Sequence, residues 1–350
     1  MFIFVVRMGK NKLIILVTLL LAVAVVGCNK DYRSMVKKAK SRTIAEKDTA
    51  AVWFYTQEKY DRALPLLEEL VPLYSGLERQ QVIYYYYCYS HYLMGQLVSA
   101  QFYFADFARK FPTNKHAEES EFMSSKCYYL LADPYQLDQS FTNKAIDAIQ
   151  LFLSRFPETD YSPEANKMLV DLRERLAEKS FRQALLYYNI TYYKAAVEAF
   201  QLMINEFPDS KFREEAQFML FKSSQSLAQA SINSKKLLRY RESLSYRDKF
   251  TNRYPESEYS KEVASLGKET DATIIELEED AEAAKEEGLY QKTKADLQTV
   301  LRTKDPTERS ERMESALANF NTLNEDYPSS RRIPEINKLF EKVNKLQIEN

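Results

Sequence analysis

The sequence predicts an all-α protein assembled from repeated antiparallel helix pairs, and three observations lead there. A small residue stands eleven positions before an aromatic six times: Ala63/Tyr74, Ala100/Phe111, Ala145/Phe156, Ala196/Phe207, Ser243/Tyr254 and Ala316/Tyr327. In the last five copies the aromatic is followed at once by proline, at Pro112, Pro157, Pro208, Pro255 and Pro328. Large residues fill the fourth and seventh places after the small one, as in Leu67 and Leu70, Phe104 and Phe107, or Phe200 and Met203. Offsets of 0, 4, 7 and 11 place all four residues on one helix face. Each copy is therefore an amphipathic helix whose small residue admits a close neighbour and whose proline ends it.

The copies recur at intervals of 37 to 73 residues, and the step of twelve from small residue to proline is that of the tetratricopeptide repeat. The expected fold is thus a tetratricopeptide-repeat solenoid of about six repeats with a C-terminal capping helix, the longer intervals carrying lengthened helices or insertions. With 350 residues and 45% hydrophobic content the chain can bury a large core. Only six glycines argue against a sheet protein with many tight turns. A formal net charge of −1, from 49 basic and 50 acidic residues, excludes a nucleic-acid footprint.

Taken in order, residues 1–27 read as an export signal. Lys10 and Lys12 precede an apolar run from Leu13 to Val26, too short to span a bilayer comfortably, and Met8 begins a better-formed signal than Met1. Val25-Val26-Gly27-Cys28 resembles the lipobox of bacterial lipoproteins, which makes Cys28 the lipidation site and residues 28–43 a lipidated N-terminus and polar tether. Several acyl chains give stable anchoring where one is marginal.

The repeats fall into an N-terminal half, 44–161, with repeats one to three, and a C-terminal half, 162–350, with repeats four to six and the cap. Repeat one pairs residues 44–58 with 60–74, and repeat two pairs 78–95 with 98–111. The run Tyr84-Tyr85-Tyr86-Tyr87-Cys88-Tyr89 lies in the first helix of repeat two. Counted back from Ala100, Tyr84, Tyr87, Cys88 and His91 take interior positions, while Tyr85, Tyr89 and Tyr92 take positions that face the groove in repeats of this type. Tyr55 takes such a position in repeat one. Repeat three carries an insertion, Asp133 to Thr142, before its second helix. Repeat four starts at Ser162-Pro163-Glu164, a good helix start, and its first helix runs to Asn189, long enough to hold two halves in fixed orientation. In repeat five, Ser243 and Arg247 weaken the pattern. Residues 261–302 read as a long charged helix interrupted near Gly288, 307–327 as the close of repeat six, and 334–347 as the cap.

Chemistry is thin. The two histidines, His91 and His116, have no second metal ligand at useful spacing; a core His91 and a solvent-facing His116 are expected, with no metal and no cofactor. No glycine-rich phosphate loop and no G-x-S-x-G occurs, which excludes the enzyme classes that need them. Cys88 and Cys127 lie on neighbouring first helices; export permits a bridge between them, but small buried cysteines are commoner in helix packing.

The lipobox, the repeats, and the junctions Phe156-Pro157-Glu158-Thr159-Asp160-Tyr161 and Phe207-Pro208-Asp209-Ser210-Lys211-Phe212 resemble the BamD family of outer membrane protein assembly factors. So does the segment from Leu172 to Glu178 leading into Tyr187, Tyr188 and Tyr193. The insertion Leu137-Asp138-Gln139-Ser140 is similar to the form of that family in Bacteroidetes-type bacteria. The resemblance covers roughly residues 28–260. It implies a non-catalytic scaffold on the periplasmic face of the outer membrane, docked on a BamA-like barrel protein and receiving unfolded outer-membrane protein clients. The half from Ser162 onward is then the expected docking half. Tyr55, Tyr85, Tyr89 and Tyr92 are the expected client contacts, an aromatic wall suited to strands that alternate apolar residues and often end in an aromatic. The alternatives are a glycan-capturing SusD-like lipoprotein, disfavoured by a single tryptophan, Trp53, and another tetratricopeptide-repeat outer-membrane lipoprotein such as a peptidoglycan- or division-associated one.

Overall fold

The computed structural model describes residues 43–348. The leader, Cys28 and nearly all of the tether lie outside the described residues. Among those described there are thirteen helices and no strand: α1 Ile44–Thr56, α2 Tyr60–Leu73, α3 Arg79–Leu93, α4 Leu97–Lys110, α5 Ala117–Leu131, α6 Ser140–Arg155, α7 Ser162–Asn189, α8 Tyr193–Glu206, α9 Arg213–Gln229, α10 Asn233–Arg253, α11 Ser260–Arg302, α12 Pro306–Asp326 and α13 Ile333–Ile348. The fold is the predicted array of tetratricopeptide-type helix pairs. The chain divides into two compact units between Lys179 and Ser180, inside α7 rather than at its start.

In the first unit α1 packs on α2, α3 on α2 and α4, and α5 on α4 and α6. Ala63, Ala100 and Ala145 are fully buried, and Leu67, Leu70, Phe104, Phe107, Ile149 and Phe152 fill the core beside them. The first turns of α7 close this core with Ala165, Met168 and Leu172. In the second unit Phe181, near the end of α7, meets Phe200 of α8 at 5.9 Å. Ala196 and Ala316 repeat the small buried position there, and Ser243 fills it in α10. The Ser243 hydroxyl donates to the Tyr240 carbonyl at 2.7 Å, so a polar small residue is satisfied without water.

Helix α11 corrects one expectation: it is continuous over 43 residues and passes through Gly288 without a break. One glycine among alanine, glutamate and lysine costs about 1 kcal/mol, too little to end a long helix. Its first half packs with Ala228 and Tyr240 through Ile274. Its second half forms a separate core of Tyr290, Leu297, Val300, Ala316, Leu323, Ile336 and Val343 with α12 and α13. Between them, residues 279–285 are all exposed.

One construction recurs at every aromatic-proline junction. The aromatic N–H closes the helix onto the carbonyl four residues back, at 2.8 to 2.9 Å, and proline forbids a further turn. Two residues after the proline a polar side chain accepts from the backbone N–H two residues further on. These bonds are Asn114 to His116 at 2.8 Å, Thr159 to Tyr161 at 3.2 Å, Ser210 to Phe212 at 3.2 Å, Ser257 to Tyr259 at 3.1 Å and Ser330 to Arg332 at 3.1 Å. The residue so fixed lies back over a ring in the preceding first helix. His116 covers Tyr85 with centroids 4.2 Å apart, Tyr161 covers Phe122 at 4.5 Å, Phe212 covers Phe181 at 5.4 Å and Tyr259 covers Phe218 at 4.6 Å. The Arg332 guanidinium lies 4.8 Å over Tyr290. In the first junction, which lacks the proline, Arg79 and Asp48 form an ion pair in this place, at 2.6 Å. The polar residue of the motif thus aims the side chain that locks one repeat to the next.

A second contact follows. Four residues after the covered ring stand Lys126, Lys222 and Lys294, and they pair with Glu164, Glu262 and Glu335 at 2.7, 2.8 and 2.9 Å. Each glutamate lies three residues after the covering side chain. At the junction of α3 with α5 the corresponding residues are Tyr89 and Glu119. At the junction of α7 with α9 Leu185 holds the lysine's position, and at the first junction Val52 does.

Candidate functional site

The split of the tyrosine run follows from helix geometry. Tyr84 and Tyr87 turn inward with 4% and 6% of their surface exposed. The Tyr84 hydroxyl donates to Asp106 Oδ2 at 2.6 Å, and the Asp106 carboxylate is also held by Arg109 and Lys110. Cys88 and Cys127 are buried free thiols; burial pushes the Cys88 thiol well up and that of Cys127 up to about 12, which leaves both unreactive. His91 is a core residue: Nδ1 lies 2.6 Å from Gln96 Oε1, the ring stacks on Tyr103, and burial lowers its pKa.

The other side of α3 joins α1 and α5 in one half-buried aromatic face. Tyr55 stacks on Tyr86 with centroids 4.4 Å apart, and Tyr86 lies 6.3 Å from Tyr85. Tyr85 and Tyr89 are 4.9 Å apart, and Tyr89 and Tyr92 are 6.3 Å apart with rings nearly perpendicular. The four predicted contacts are therefore brought together, with Tyr86 as the link that the sequence reading left out.

The centre of this face is a carboxylate. Tyr89 donates to Glu119 Oε1 at 2.5 Å, Tyr85 donates to Oε2 at 2.9 Å, and His116 Nδ1 lies 2.9 Å from Oε2. Burial would raise the Glu119 pKa, but hydrogen bonds from Tyr89, His116 and Tyr85 outweigh it and hold the carboxyl below its ordinary value of 4.5. Burial and the bond to Glu119 push both tyrosine hydroxyls above the usual phenol range, so they remain donors near neutral pH. His116 is not solvent-facing as expected: its ring is stacked on Tyr85 and 33% of its side-chain surface is exposed. His116 occupies the sixth place of its junction, where Tyr161 and Phe212 stand in theirs, and that spacing was the available signal for it.

The arrangement offers aromatic rings, two hydroxyl donors and the Glu119 carboxylate. Among the described residues no group of three or more His, Cys, Asp or Glu could hold a metal ion, and no helix is long and apolar enough to cross a membrane.

A family model described as YfiO, outer membrane lipoprotein, matches residues 47–237. The outer membrane protein assembly factor BamD of Caulobacter vibrioides is 25% identical over 132 residues, 38% of this chain and 43% of that relative, so the matched stretch spans less than half of its length. The TPR2AB domain of yeast Sti1, solved in its pHSP90 complex, is 15% identical with a TM-score of 0.32, covering 65% of this chain and 98% of that one. A kinesin light chain from Podospora anserina with nearly identical TPR-like repeats is 12% identical with a TM-score of 0.26, covering 60% of this chain and 96% of that one.

Proposed function

This chain belongs to the YfiO family of outer membrane lipoproteins, and from that membership we propose that it is a non-catalytic scaffold of outer-membrane β-barrel assembly. It docks on a BamA-like barrel protein and receives unfolded outer-membrane protein clients. Acyl chains on Cys28 hold it to the periplasmic face of the outer membrane, and repeats from Ser162 onward carry the docking surface. The observation that supports client binding is the continuous tyrosine face of Tyr55, Tyr85, Tyr86, Tyr89 and Tyr92. Partly exposed tyrosines offer broad apolar contact with a hydroxyl at the rim, at low entropic cost, which suits extended segments that alternate aromatic and polar residues.

Two measurements test this reading. Affinity capture from detergent-solubilised membranes recovers a barrel protein with periplasmic repeats; recovery instead of a TonB-dependent transporter would point to glycan capture and refute the scaffold. Intact mass of the native protein shows loss of residues 1–27 and gain of acyl mass on Cys28, and Cys28→Ala leaves the membrane fraction.

A further inference from the structure

Four other glutamates of this chain occupy the same place as Glu119; a lysine neutralises three of them, Glu164 by Lys126, Glu262 by Lys222 and Glu335 by Lys294, while the fourth, Glu215, has Leu185 at the lysine's position. At Glu119 the lysine's place is held by Tyr89. The carboxylate there has two hydroxyl donors and the His116 ring, and no lysine or arginine is paired with it among the described residues. Lys126, whose charge reaches Tyr92, is already bound by Glu164 at 2.7 Å. Hydroxyl donors stabilise a carboxylate without cancelling its charge, and tyrosine faces attract a cation electrostatically.

We propose that this face selects client segments carrying a lysine or arginine beside an aromatic residue. The client's cation completes at Glu119 the pair that the chain's own lysines complete elsewhere. The proposal rests on the reading of the tyrosine face as the client site and adds what that reading lacks, a charge preference. It also implies that a free C-terminal carboxylate is disfavoured close to Glu119, so the segment enters with an internal aromatic or with its end held away from α5.

The test uses the soluble chain from residue 43 and short synthetic peptides of alternating tyrosine and threonine, C-terminally amidated, with lysine, norleucine or glutamate at one central position. Fluorescence anisotropy should give about tenfold tighter binding for the lysine form than for norleucine, and weaker binding still for glutamate. Two variants remove the preference by different routes. Glu119→Gln removes the charge. Tyr89→Lys installs the residue that this chain already uses at three equivalent places, and so is expected to fold, which circular dichroism checks. In both, the lysine-to-norleucine ratio should fall to near one. Equal affinity of all three peptides for the native protein would overturn the proposal while leaving the tyrosine face as the client site. A ratio that survives Glu119→Gln, or tighter binding of a free-carboxylate peptide than of its amide, would also overturn it. Failure of every peptide to bind would refute the client-site reading and the charge preference with it.

Discussion

The junction of α3 with α5 and the junction of α9 with α11 share one plan and differ in chemistry. In both, a ring of the first helix is covered by the last residue of the next junction: Tyr85 by His116 at 4.2 Å and Phe218 by Tyr259 at 4.6 Å. Phe218 is 4% exposed and has no polar atom, whereas Tyr85 is half-buried and bonds Glu119 through its hydroxyl. Four residues on, Lys222 forms an ion pair in one junction and Tyr89 a hydrogen bond in the other. The covered ring is thus a device of the fold wherever it occurs, while the residue four places later varies with the use of the face. Tyr85 serves both fold and face; if the face binds clients as proposed, affinity should depend chiefly on Tyr55, Tyr89 and Tyr92.

The largest effects should come from the covered rings. Phe218→Ala should destabilise the protein by about 3–5 kcal/mol in urea denaturation, the usual cost of removing a large buried aromatic. Tyr85→Ala loses the ring contacts with His116, Tyr89, Phe107 and Tyr86 and one hydrogen bond, for about 1–3 kcal/mol. If Tyr85→Ala were neutral for stability and yet abolished peptide binding, the common plan of the two junctions would fail.

How much of this was legible in the sequence depended on distance along the chain. The small residue, two large residues, aromatic and proline lie within one helix, so their spacing alone placed Ala63, Phe104 or Phe152 in the core. The inward and outward tyrosines of α3 also separated by local period. The clasps were hidden because their partners lie 31 residues apart at Asp48 and Arg79 and 41 apart at Lys294 and Glu335. The count from the small residue locates the covered position in repeats one, two and four only, as Asp48, Tyr85 and Phe181. The insertion before α6 and the added turns of α9, α10 and α11 shift it in the others. His116 was misplaced for the same reason, since its partner Tyr85 is fixed by packing between repeats. The break assigned near Gly288 gave one residue more weight than its cost warrants.

Acid should separate the two junctions next. The folded-state pKa of Glu119 lies below its ordinary value of 4.5, so its contribution to stability is complete above about pH 4.5 and is lost as pH falls through the folded value. Native protein and Glu119→Gln should therefore differ most in urea midpoint above that pH and converge below it. Asp48 and Asp106 are also held low, but they are present in both proteins and cancel in the difference. A difference that grows on acidification would reverse the sign and refute the assignment.

The glycines of α11 give a smaller effect within the second junction's own helix. A Cβ at Gly288 would meet nothing within 4 Å, and Gly288→Ala should stabilise by about 0.5–1 kcal/mol. A Cβ at Gly267 would lie 2.7 Å from Arg247 Cδ, in a side chain held by Asp248 and Asp271, so Gly267→Ala should fall short of that gain or reverse it. Equal gains from both, by thermal melting, would mean that Arg247 does not anchor α10 to α11.

The smallest effect is the most direct check on the equivalence of the two junctions. Lys222 and Glu262 are 2.8 Å apart with 33% and 48% of their side-chain surface exposed, and ion pairs this open to water contribute at most about 1 kcal/mol. Lys222→Tyr would replace the pair with the arrangement seen at Tyr89, a phenol donating to the same glutamate position beside a covered ring. Stability should then change by no more than about 0.5 kcal/mol. The salt dependence should change with it: a screened ion pair loses strength from low to high sodium chloride, whereas a neutral hydroxyl donor does not. The variant's urea midpoint should accordingly shift less with salt than that of the native protein. A loss above about 2 kcal/mol, beyond the range of exposed ion pairs, would mean that tyrosine is not accommodated there. The shared spacing of the two junctions would then be insufficient, and the tyrosine at position 89 would owe its fit to the neighbours it has in α5.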